Sequence, residues 1–273
     1  MAGDGQEALR RRLRLLVAYL GTPFHGFAPQ RGVPTVAGVL SEAIEQVLRH
    51  PVELTCAGRT DAGVHAWGQV VSLDVAIGVD LERLQRSLNK MLGPTVVVRD
   101  AAWAPEGFDA RRWALSRTYR YRISCSRWPD PFRAATTWHV GHPLDLRSMQ
   151  AASDPLLGEH DFASFCHATK IRAAKTGASK VDGTEKSPPS LVRRVLAAEW
   201  SDLGGEQLLF EIRAASFCQQ MVRSVVGTLV EVGAGRKKAG EMTGIMAAKD
   251  RSFAGSVAPP HGLCLWEVEY PGD

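Results

Sequence analysis

The sequence predicts a mixed α/β (α+β) protein made of two similar halves, and three observations support this. Apolar residues recur at helical spacing in some segments and form short strand-like runs in others. In the first half these segments follow the order β-α-β-β-α-β, the split βαβ arrangement of ferredoxin-like domains. The second half repeats the order loosely. Two ferredoxin-like halves of this kind would share an extended antiparallel sheet, with a catalytic cleft between them.

The first half contains four strands and two helices. Strands are predicted over residues 13–20, 52–56, 69–75 and 95–98. Thr35 and Asp80 are suited to cap the helices that follow them, and Gly93-Pro94 ends the second helix. The helices present the apolar faces Val36, Leu40, Ile44 and Val47, and Leu81, Leu84, Leu88 and Met91.

The second half contains four strands and three helices. The strands are predicted over residues 118–123, 191–200, 207–214 and 263–270, with a hairpin at Leu203-Gly204-Gly205. One helix is capped by Asp145, a second runs through Met221 and Leu229, and a third lies near residues 240–249. We therefore expect a flexible N-terminal tail over residues 1–12, an N-terminal α/β domain over 13–107 and a C-terminal α/β domain over 108–270.

Composition places few restrictions on function. The chain has 273 residues and a formal net charge of +4, which permits a nucleic-acid partner without demanding one. Its five cysteines are scattered and form no Cys-x-x-Cys pair, so we expect reduced thiols, no metal site and a cytoplasmic location. No apolar stretch approaches the roughly 20 residues that span a bilayer, so no membrane association is expected.

The run CAGRTDAGVHA at residues 56–66 is the most informative part of the chain. It places one carboxylate, Asp61, among small residues between two predicted strands, where a rigid scaffold can fix a catalytic group. Arg59 adds a planar cation that can bind phosphate or fill space beside a base. An isolated turn aspartate is usually structural, and this simpler interpretation stays open for the loop taken alone.

Basic residues cluster in two further places. Near the start of the second half, arginines and aromatic residues are interleaved, and the strand pattern puts Tyr119 opposite the arginines at 120 and 122. Such arginines can neutralise phosphates, or they can simply face solvent over a packed core. An insertion near residues 168–190 is basic and rich in turn residues, and it is either a solvated loop or an RNA-binding one. The candidate RNA-binding residues are Arg111, Arg112, Arg120, Arg122, Lys170, Arg172, Lys175 and Lys180.

The loop and four further motifs together resemble one family. The motifs are VAYLGTPFHG at 17–26, HDFASF at 160–165, FCQQMVRSVVGTL at 217–229 and GLCLWEVEY at 262–270. With CAGRTDAGVHA they match, in order, the motifs of the tRNA pseudouridine synthase A (TruA) family. The chain departs from the family pattern at residues 27–30 and at Gln219-Gln220. Neither departure touches a residue assigned to chemistry, although both could alter RNA contacts.

This resemblance implies an enzyme that isomerises uridine to pseudouridine in the anticodon arm of tRNA, at roughly positions 38 to 40. It implies that Asp61 is the nucleophile, that Arg223 pairs with Asp61, and that Arg59 fills the space left by the flipped base. Tyr119 would stack on the uracil and Leu265 would pack beneath it. The resemblance also implies a homodimer, and the isomerisation calls for no cofactor. Whether Asp61 attacks the sugar or the base ring stays open.

Two other functions compete with this one. An RRM-like RNA-binding module would have a similar topology, but the aromatic RNP1 pattern is missing. A base hydrolase could also use one carboxylate, whereas a glycoside hydrolase of the usual kind needs two, and only one is evident. His65 invites a general-base role, but a single histidine without an orienting partner is more often structural.

Overall fold

The computed structural model describes residues 10–167, 180–181, 184–185 and 190–272. It divides into two compact units: unit 1 is Met1–Leu115 with Leu265–Asp273, and unit 2 is Ser116–Cys264. This division differs from the predicted one between residues 107 and 108, because the boundary lies later and the last strand belongs with the N-terminal part. The predicted sharing of one sheet by the two halves, with a cleft between them, stays a prediction.

Unit 1 is a sheet with two helices. Its strands are β1 (Arg10–Tyr19), β2 (Thr55–Cys56), β3 (His65–Ala76), β4 (Val96–Trp103) and the part of β12 (Leu263–Glu269) from Leu265 onward. Their order is β4-β1-β3-β12, with β2 also paired to β3. Strand β1 is antiparallel to both β3 and β4, and its residues Leu13, Leu15 and Val17 are completely buried.

The two helices of unit 1 begin where the sequence predicts. Helix α1 (Val36–Leu48) is capped by Thr35, whose side chain accepts a hydrogen bond from the Gly38 N–H. Helix α2 (Leu81–Leu92) is capped by Asp80, which accepts from the Arg83 N–H. These bonds satisfy amides that a helix leaves unpaired at its first turn. The order β1-α1-β2-β3-α2-β4 is the predicted one.

Three details of unit 1 differ from the prediction. Met91 is 42% exposed, because it lies in the last turn of α2 beyond the buried pair Leu84 and Leu88. The strand predicted over 52–56 is reduced to β2, and the Val52 N–H donates to the Glu45 carboxylate instead of to a strand. Strand β1 begins at Arg10, inside the predicted tail, and Arg12 pairs with Asp74 of β3 at 2.7 Å.

Unit 2 has its own set of strands and helices. Strands β5 (Ser116–Ser124), β7 (Gly158–Asp161), β10 (Val192–Gly204) and β11 (Gln207–Ala214) lie in the order β5-β11-β10-β7. Strand β6 (Trp138–His139) is parallel to β5, and β8 (Lys180–Val181) pairs with β9 (Thr184–Glu185). The helices are α3 (Leu146–Ser153), α4 (Met221–Gly233) and α5 (Glu241–Ala248).

Helix α4 forms the centre of unit 2. Nearly all of its residues are buried, including the apolar positions that the sequence predicts, from Met221 to Leu229. Gly227 permits a close approach, because a Cβ there would lie 1.8 Å from the Ser256 carbonyl oxygen. The predicted hairpin is present, with its turn at Gly205 and Glu206, both of which have positive φ.

The cysteines correct one expectation. Cys166 and Cys218 of unit 2 form a disulfide, with their Cα atoms 5.8 Å apart, whereas the sequence predicts five reduced thiols. The prediction was wrong because the two residues are 52 positions apart, and only the fold brings them together. Cys56, Cys125 and Cys264 are not part of a disulfide. In the described part of the chain, no helix is long and apolar enough to cross a membrane.

Candidate active site

The Asp61 loop, which we define as residues 57–64, connects β2 to β3 in unit 1. Asp61 is half-buried, while the Arg59 side chain is exposed. The carbonyl oxygen of Asp61 accepts a hydrogen bond from the Val64 N–H at 3.1 Å, which closes a tight turn. Gly63 has a φ of 76°, a conformation that favours glycine. The loop therefore exposes a cation two residues before a carboxylate that is partly withdrawn from solvent.

The segment after β1 fixes the backbone of the Asp61 loop. The Gly63 N–H donates to the Phe24 carbonyl oxygen at 3.2 Å, and the Phe27 N–H donates to the Thr60 carbonyl oxygen at 3.1 Å. Gly26 makes this approach possible, since its φ is 97° and a Cβ would lie 2.9 Å from the same Thr60 oxygen. Two of the family-like motifs thus meet through backbone hydrogen bonds.

His65 completes this contact. Its Nδ1 accepts a hydrogen bond from the Gly21 N–H at 2.9 Å, so Nδ1 carries no proton in this arrangement. The side chain is only 5% exposed. Gly21 is required for the approach, because a Cβ there would lie 2.0 Å from the Val64 carbonyl oxygen. The geometry supports a structural role for His65 rather than that of a general base.

A buried polar cluster lies beneath the Asp61 loop. Gln69 of β3 is completely buried, and its Nε2 donates to the Gly58 carbonyl oxygen at 2.7 Å and to the Tyr19 hydroxyl at 3.4 Å. Its Oε1 accepts from the Gly58 N–H at 3.4 Å. The Tyr19 hydroxyl is also 2.8 Å from the Thr60 hydroxyl. Gln69, Tyr19 and Thr60 take part through their side chains, and Gly58 takes part through its backbone.

Cations surround the start of the Asp61 loop. Burial raises the pKa of the Cys56 thiol to about 11, while the nearby guanidinium groups of Arg59 and Arg111 act in the opposite direction. Arg111 and Arg112 are exposed, and their backbone N–H groups both donate to the Asp109 carboxylate at 2.8 Å. The turn at Asp109 therefore holds two predicted RNA-binding arginines in the same unit as Asp61.

In unit 2, Tyr119 is held by packing. The residue is 8% exposed, and its ring meets the Phe217 ring nearly at a right angle, at 88°, with the centroids 5.1 Å apart. Phe217 is followed directly by Cys218, which the disulfide joins to Cys166. The His167 N–H donates to the Gln219 carbonyl oxygen, which provides a second link between the same two segments.

Arg223 lies on α4 and is fixed through Ala258. Its Nε donates to the Ala258 carbonyl oxygen at 2.7 Å, and the Ala258 N–H donates to the Arg223 carbonyl oxygen at 3.0 Å. Burial lowers the pKa of His261, and the Arg223 charge lowers it further. Burial raises the pKa of Tyr121, which Arg223 opposes. The Arg223 charge therefore lowers the pKa of both neighbouring groups, with burial acting in the same direction on His261 and in the opposite direction on Tyr121.

The other predicted site residues have mixed surroundings. Arg120 forms an ion pair with Glu211 at 2.6 Å, whereas Arg122 on the same strand is exposed. Leu265 is completely buried in unit 1, as a core leucine would be. Lys170, Arg172 and Lys175 lie outside the described residues, and of Lys180 only its place in β8 is described.

The structure brings some predicted residues into one unit and not others. Unit 1 holds Asp61, Arg59 and Leu265, and unit 2 holds Tyr119 and Arg223. The pairing of Asp61 with Arg223 stays a prediction. Among the residues described, no group of three or more His, Cys, Asp or Glu side chains could hold a metal ion.

Three residues that hold these groups, Gln69, Tyr19 and Phe217, have no role predicted from the sequence. Gln69 and Tyr19 bind the Asp61 loop, and Phe217 packs on Tyr119. One signal was available for Gln69, because an amide at the start of the otherwise apolar run QVVSL requires a buried polar partner. For Tyr19 and Phe217, which are ordinary in an apolar context, the sequence carried no such signal.

Comparison with known proteins gives a consistent result. The sequence profile of the family described as tRNA pseudouridine synthase matches residues 15–111 and 152–271. A protein of Myxococcus xanthus named tRNA pseudouridine synthase A is 39% identical over 259 residues, covering 95% of this chain and 92% of the relative. A protein of the same name from Halalkalibacterium halodurans is 40% identical, over 93% of this chain and 90% of the relative. Another from Frankia casuarinae is 42% identical, over 96% of this chain and 90% of the relative. A solved archaeal box H/ACA sRNP Nop10-Cbf5 complex aligns with a TM-score of only 0.33 at 13% identity, over 80% of this chain and 43% of that one.

Proposed function

The chain belongs to the tRNA pseudouridine synthase family, whose members are isomerases acting on tRNA, and we propose that it converts uridine to pseudouridine in the anticodon arm. Roughly positions 38 to 40 are the targets that its resemblance to the TruA family implies. The observation that carries the proposal is the Asp61 loop, with a half-buried carboxylate and an exposed arginine in the family's motif, on a backbone held by hydrogen bonds.

The reaction conserves all atoms of the nucleotide. The bond between N1 of uracil and C1′ of ribose breaks, the base turns, and C5 bonds to C1′ while its proton leaves and N1 gains one. This needs a carboxylate at the nucleotide and a site that retains the free base. In the proposed mechanism Asp61 attacks either C1′ or the base ring, which makes a covalent intermediate and divides one difficult step into two.

Arg223 would keep Asp61 ionised and aimed. A guanidinium beside a carboxylate stabilises the charged form and presents two parallel donors to it. The hydrogen bond from Arg223 Nε to the Ala258 carbonyl oxygen supports this role, since it restricts the side chain before substrate binds. Arg59, exposed on the loop, would occupy the space that the uridine vacates when it flips out of the RNA stack, a step that costs a few kcal/mol.

Tyr119 and Leu265 would hold the uracil. The perpendicular contact with Phe217 fixes the Tyr119 ring, and a fixed ring can stack on a base without losing further side-chain entropy. Because Tyr119 is only 8% exposed, the uracil must approach the exposed part of that ring. Leu265, fully buried, would contribute from below as packing rather than as an accessible surface.

The candidate RNA-binding cations differ in availability. Arg111, Arg112 and Arg122 are exposed, which suits contact with phosphates. Arg120 already pairs with Glu211, so its charge is partly neutralised and it would contribute least. Lys170, Arg172, Lys175 and Lys180 would add contacts from the basic insertion, a role supported only by their composition and placement in the sequence.

We also propose that the protein works as a cytoplasmic homodimer. The resemblance to the TruA family supports the dimer, and the bacterial tRNA-modifying relatives support the location. Sedimentation of the purified chain would test the first point. A single species of the monomer mass, 29.7 kDa, at micromolar concentration would contradict it.

Product analysis tests the function itself. An unmodified tRNA transcript with tritium at C5 of its uridines should release tritium on incubation with the protein, and nucleoside analysis should show pseudouridine of unchanged mass in the anticodon arm. RNA binding without any product would favour a binding module. Free uracil and an abasic site would favour a hydrolase. Asp61→Asn, which keeps the side-chain shape, is the matched control.

A further inference from the structure

We propose that Gln69 and Tyr19 are positioning residues that set the direction of Arg59 and Asp61. The inference rests on the proposed function and deepens it, since neither residue would touch the substrate. Gln69 acts through the backbone of Gly58 and Tyr19 acts through the side chain of Thr60, and all four residues lie within unit 1.

Gln69 clamps the residue that precedes Arg59. Its amide both donates to the carbonyl oxygen of Gly58, at 2.7 Å, and accepts from the Gly58 N–H, at 3.4 Å. A side-chain amide that binds both polar groups of one residue replaces the strand partner which that residue lacks. Since Gln69 is completely buried, its amide would be left without a hydrogen-bond partner if it did not bind Gly58, and an unpaired buried amide is destabilising.

Tyr19 holds the residue that follows Arg59. Its hydroxyl lies 2.8 Å from the Thr60 hydroxyl, and both side chains are buried. The same hydroxyl accepts from the Gln69 amide, so the two clamps form one network. Arg59 is therefore fixed on both sides, and Asp61 follows the second fixed residue directly.

A hydrogen-bonded cluster that only stabilised the fold would not need to bind the two residues that flank Arg59. Here the bonds of the Gln69 and Tyr19 side chains converge on Gly58 and Thr60. A nucleophile must be aimed within a fraction of an ångström, and a misplacement of about 1 Å can cost about 100-fold in rate. A hydrogen-bonded clamp at the loop's base provides such aim without occupying the site.

The chain offers a matched control for each residue. Asn89 of α2 clamps Val98 in the same way, with its amide accepting from the Val98 N–H at 2.7 Å and donating to the Val98 carbonyl oxygen at 3.0 Å. Tyr270 is buried like Tyr19, and its hydroxyl donates to the Ala110 carbonyl oxygen at 2.7 Å. Neither Asn89 nor Tyr270 binds the Asp61 loop through these bonds, so each control removes a similar interaction from elsewhere in unit 1.

The experiment compares Gln69→Met with Asn89→Leu, and Tyr19→Phe with Tyr270→Phe. Single-turnover isomerisation of an unmodified tRNA transcript should slow about 10-fold or more in Gln69→Met and several-fold in Tyr19→Phe. tRNA affinity should stay within about twofold, because the clamps contact no phosphate. Each control should lower the melting temperature about as much as its matched variant does. Unlike that variant, it should leave the single-turnover rate near that of the wild type.

A second readout does not depend on activity. Arg59 is exposed, so trypsin can cut between Arg59 and Thr60 once the loop loosens. Mass spectrometry should show faster cutting there in Gln69→Met and Tyr19→Phe than in the two controls. Equal cutting in variants and controls would overturn the inference, as would unchanged rates in an active enzyme or rate losses that the controls share. Absence of isomerisation by the wild type would instead overturn the proposed function. The rate of cutting at Arg59 would still show whether Gln69 and Tyr19 hold the Asp61 loop.

Discussion

The Asp61 loop of unit 1 and the surroundings of Tyr119 in unit 2 are held in place by different interactions. Buried polar side chains and backbone amides bind the loop, through Gln69, Tyr19 and the segment after β1. Tyr119 rests instead against an aromatic ring, and a disulfide lies one residue beyond that ring. Both regions carry a residue to which we assign a role on the same uridine.

The difference fits the roles that we propose for Asp61 and Tyr119. Hydrogen bonds are directional, so they can fix the angle at which a short loop presents a carboxylate. Packing is non-directional but fixes shape, which is sufficient for a ring that only has to present a face or an edge. We infer that catalytic charge and substrate platform place different demands on the fold, and the following predictions test that distinction.

The largest effect is expected at the carboxylate itself. Asp61→Asn should lower the isomerisation rate by about 1,000-fold or more, because the nucleophile is lost while the loop keeps its shape. tRNA affinity should change no more than a few-fold, since the carboxylate adds little to phosphate binding. Single-turnover kinetics with filter binding measure both. Substantial turnover by the purified Asn variant would remove Asp61 from the mechanism.

The disulfide tests the packed region. Replacing both Cys166 and Cys218 with Ser should lower the free energy of unfolding by about 3 kcal/mol, because the unfolded chain loses a long cross-link. Urea unfolding measures this. Thiol titration of the unfolded wild type without reductant should find three free thiols. Five thiols in oxidised protein would mean that the pair does not form.

The reactivity of the Cys56 thiol measures how well the start of the Asp61 loop is shielded from solvent, because Cys56 lies directly before that loop. Burial raises its pKa from the ordinary value of 9.0 to about 11, so at pH 8 the thiolate fraction is about 100-fold lower than for an exposed thiol. Alkylation of Cys56 should be correspondingly slow and should accelerate as the pH rises towards 11. Peptide mass spectrometry after timed iodoacetamide treatment gives the rate.

Alkylation of Cys56 also distinguishes the Gln69→Met variant from its control, Asn89→Leu. Gln69→Met should speed alkylation of Cys56 at pH 8, because loosening of Gly58 admits water to the thiol. Asn89→Leu should leave the rate unchanged. Rapid alkylation of the wild type at pH 8 would contradict the burial of this group.

Substitutions of Tyr119 distinguish two roles for this residue, stacking of its ring on the uracil and proton transfer by its hydroxyl. Tyr119→Ala should slow the reaction roughly 5- to 150-fold, which corresponds to the 1–3 kcal/mol of stacking on one base. Tyr119→Phe should retain most of the activity, because it keeps the ring and the contact with Phe217. If both variants lost activity equally and severely, the phenol would be moving a proton instead.

The smallest effect on the chemical step is expected from the basic insertion. Changing Lys170, Arg172, Lys175 and Lys180 to Ala should weaken tRNA binding and flatten its salt dependence, by roughly 0.7–0.9 in log–log slope for each lost contact. The rate at saturating tRNA should hardly change. Arg236→Ala/Lys238→Ala, at an exposed basic pair of unit 2, is the control. An unchanged slope would leave the insertion as solvated surface.

Local sequence determined a large part of this protein. The caps Thr35, Asp80 and Asp145 and the apolar spacing behind them fixed where helices begin, because capping and amphipathic patterns act within a few residues. The Gly-rich run around Asp61 indicated a catalytic loop, and the ordered motifs indicated the family that the comparisons establish. All of these signals lie within short stretches of chain.

Only the tertiary structure determined which interactions form between residues that are far apart in the sequence. The clamp of Gln69 on Gly58, the pair Cys166–Cys218 and the ion pair of Arg120 with Glu211 each connect separate elements. Their members carry no local pattern that names the partner, because a hydrogen bond, a disulfide or an ion pair forms only when packing brings two groups within a few ångströms. Sequence therefore predicted which residues carry the chemistry, and the fold determined which residues hold them in place.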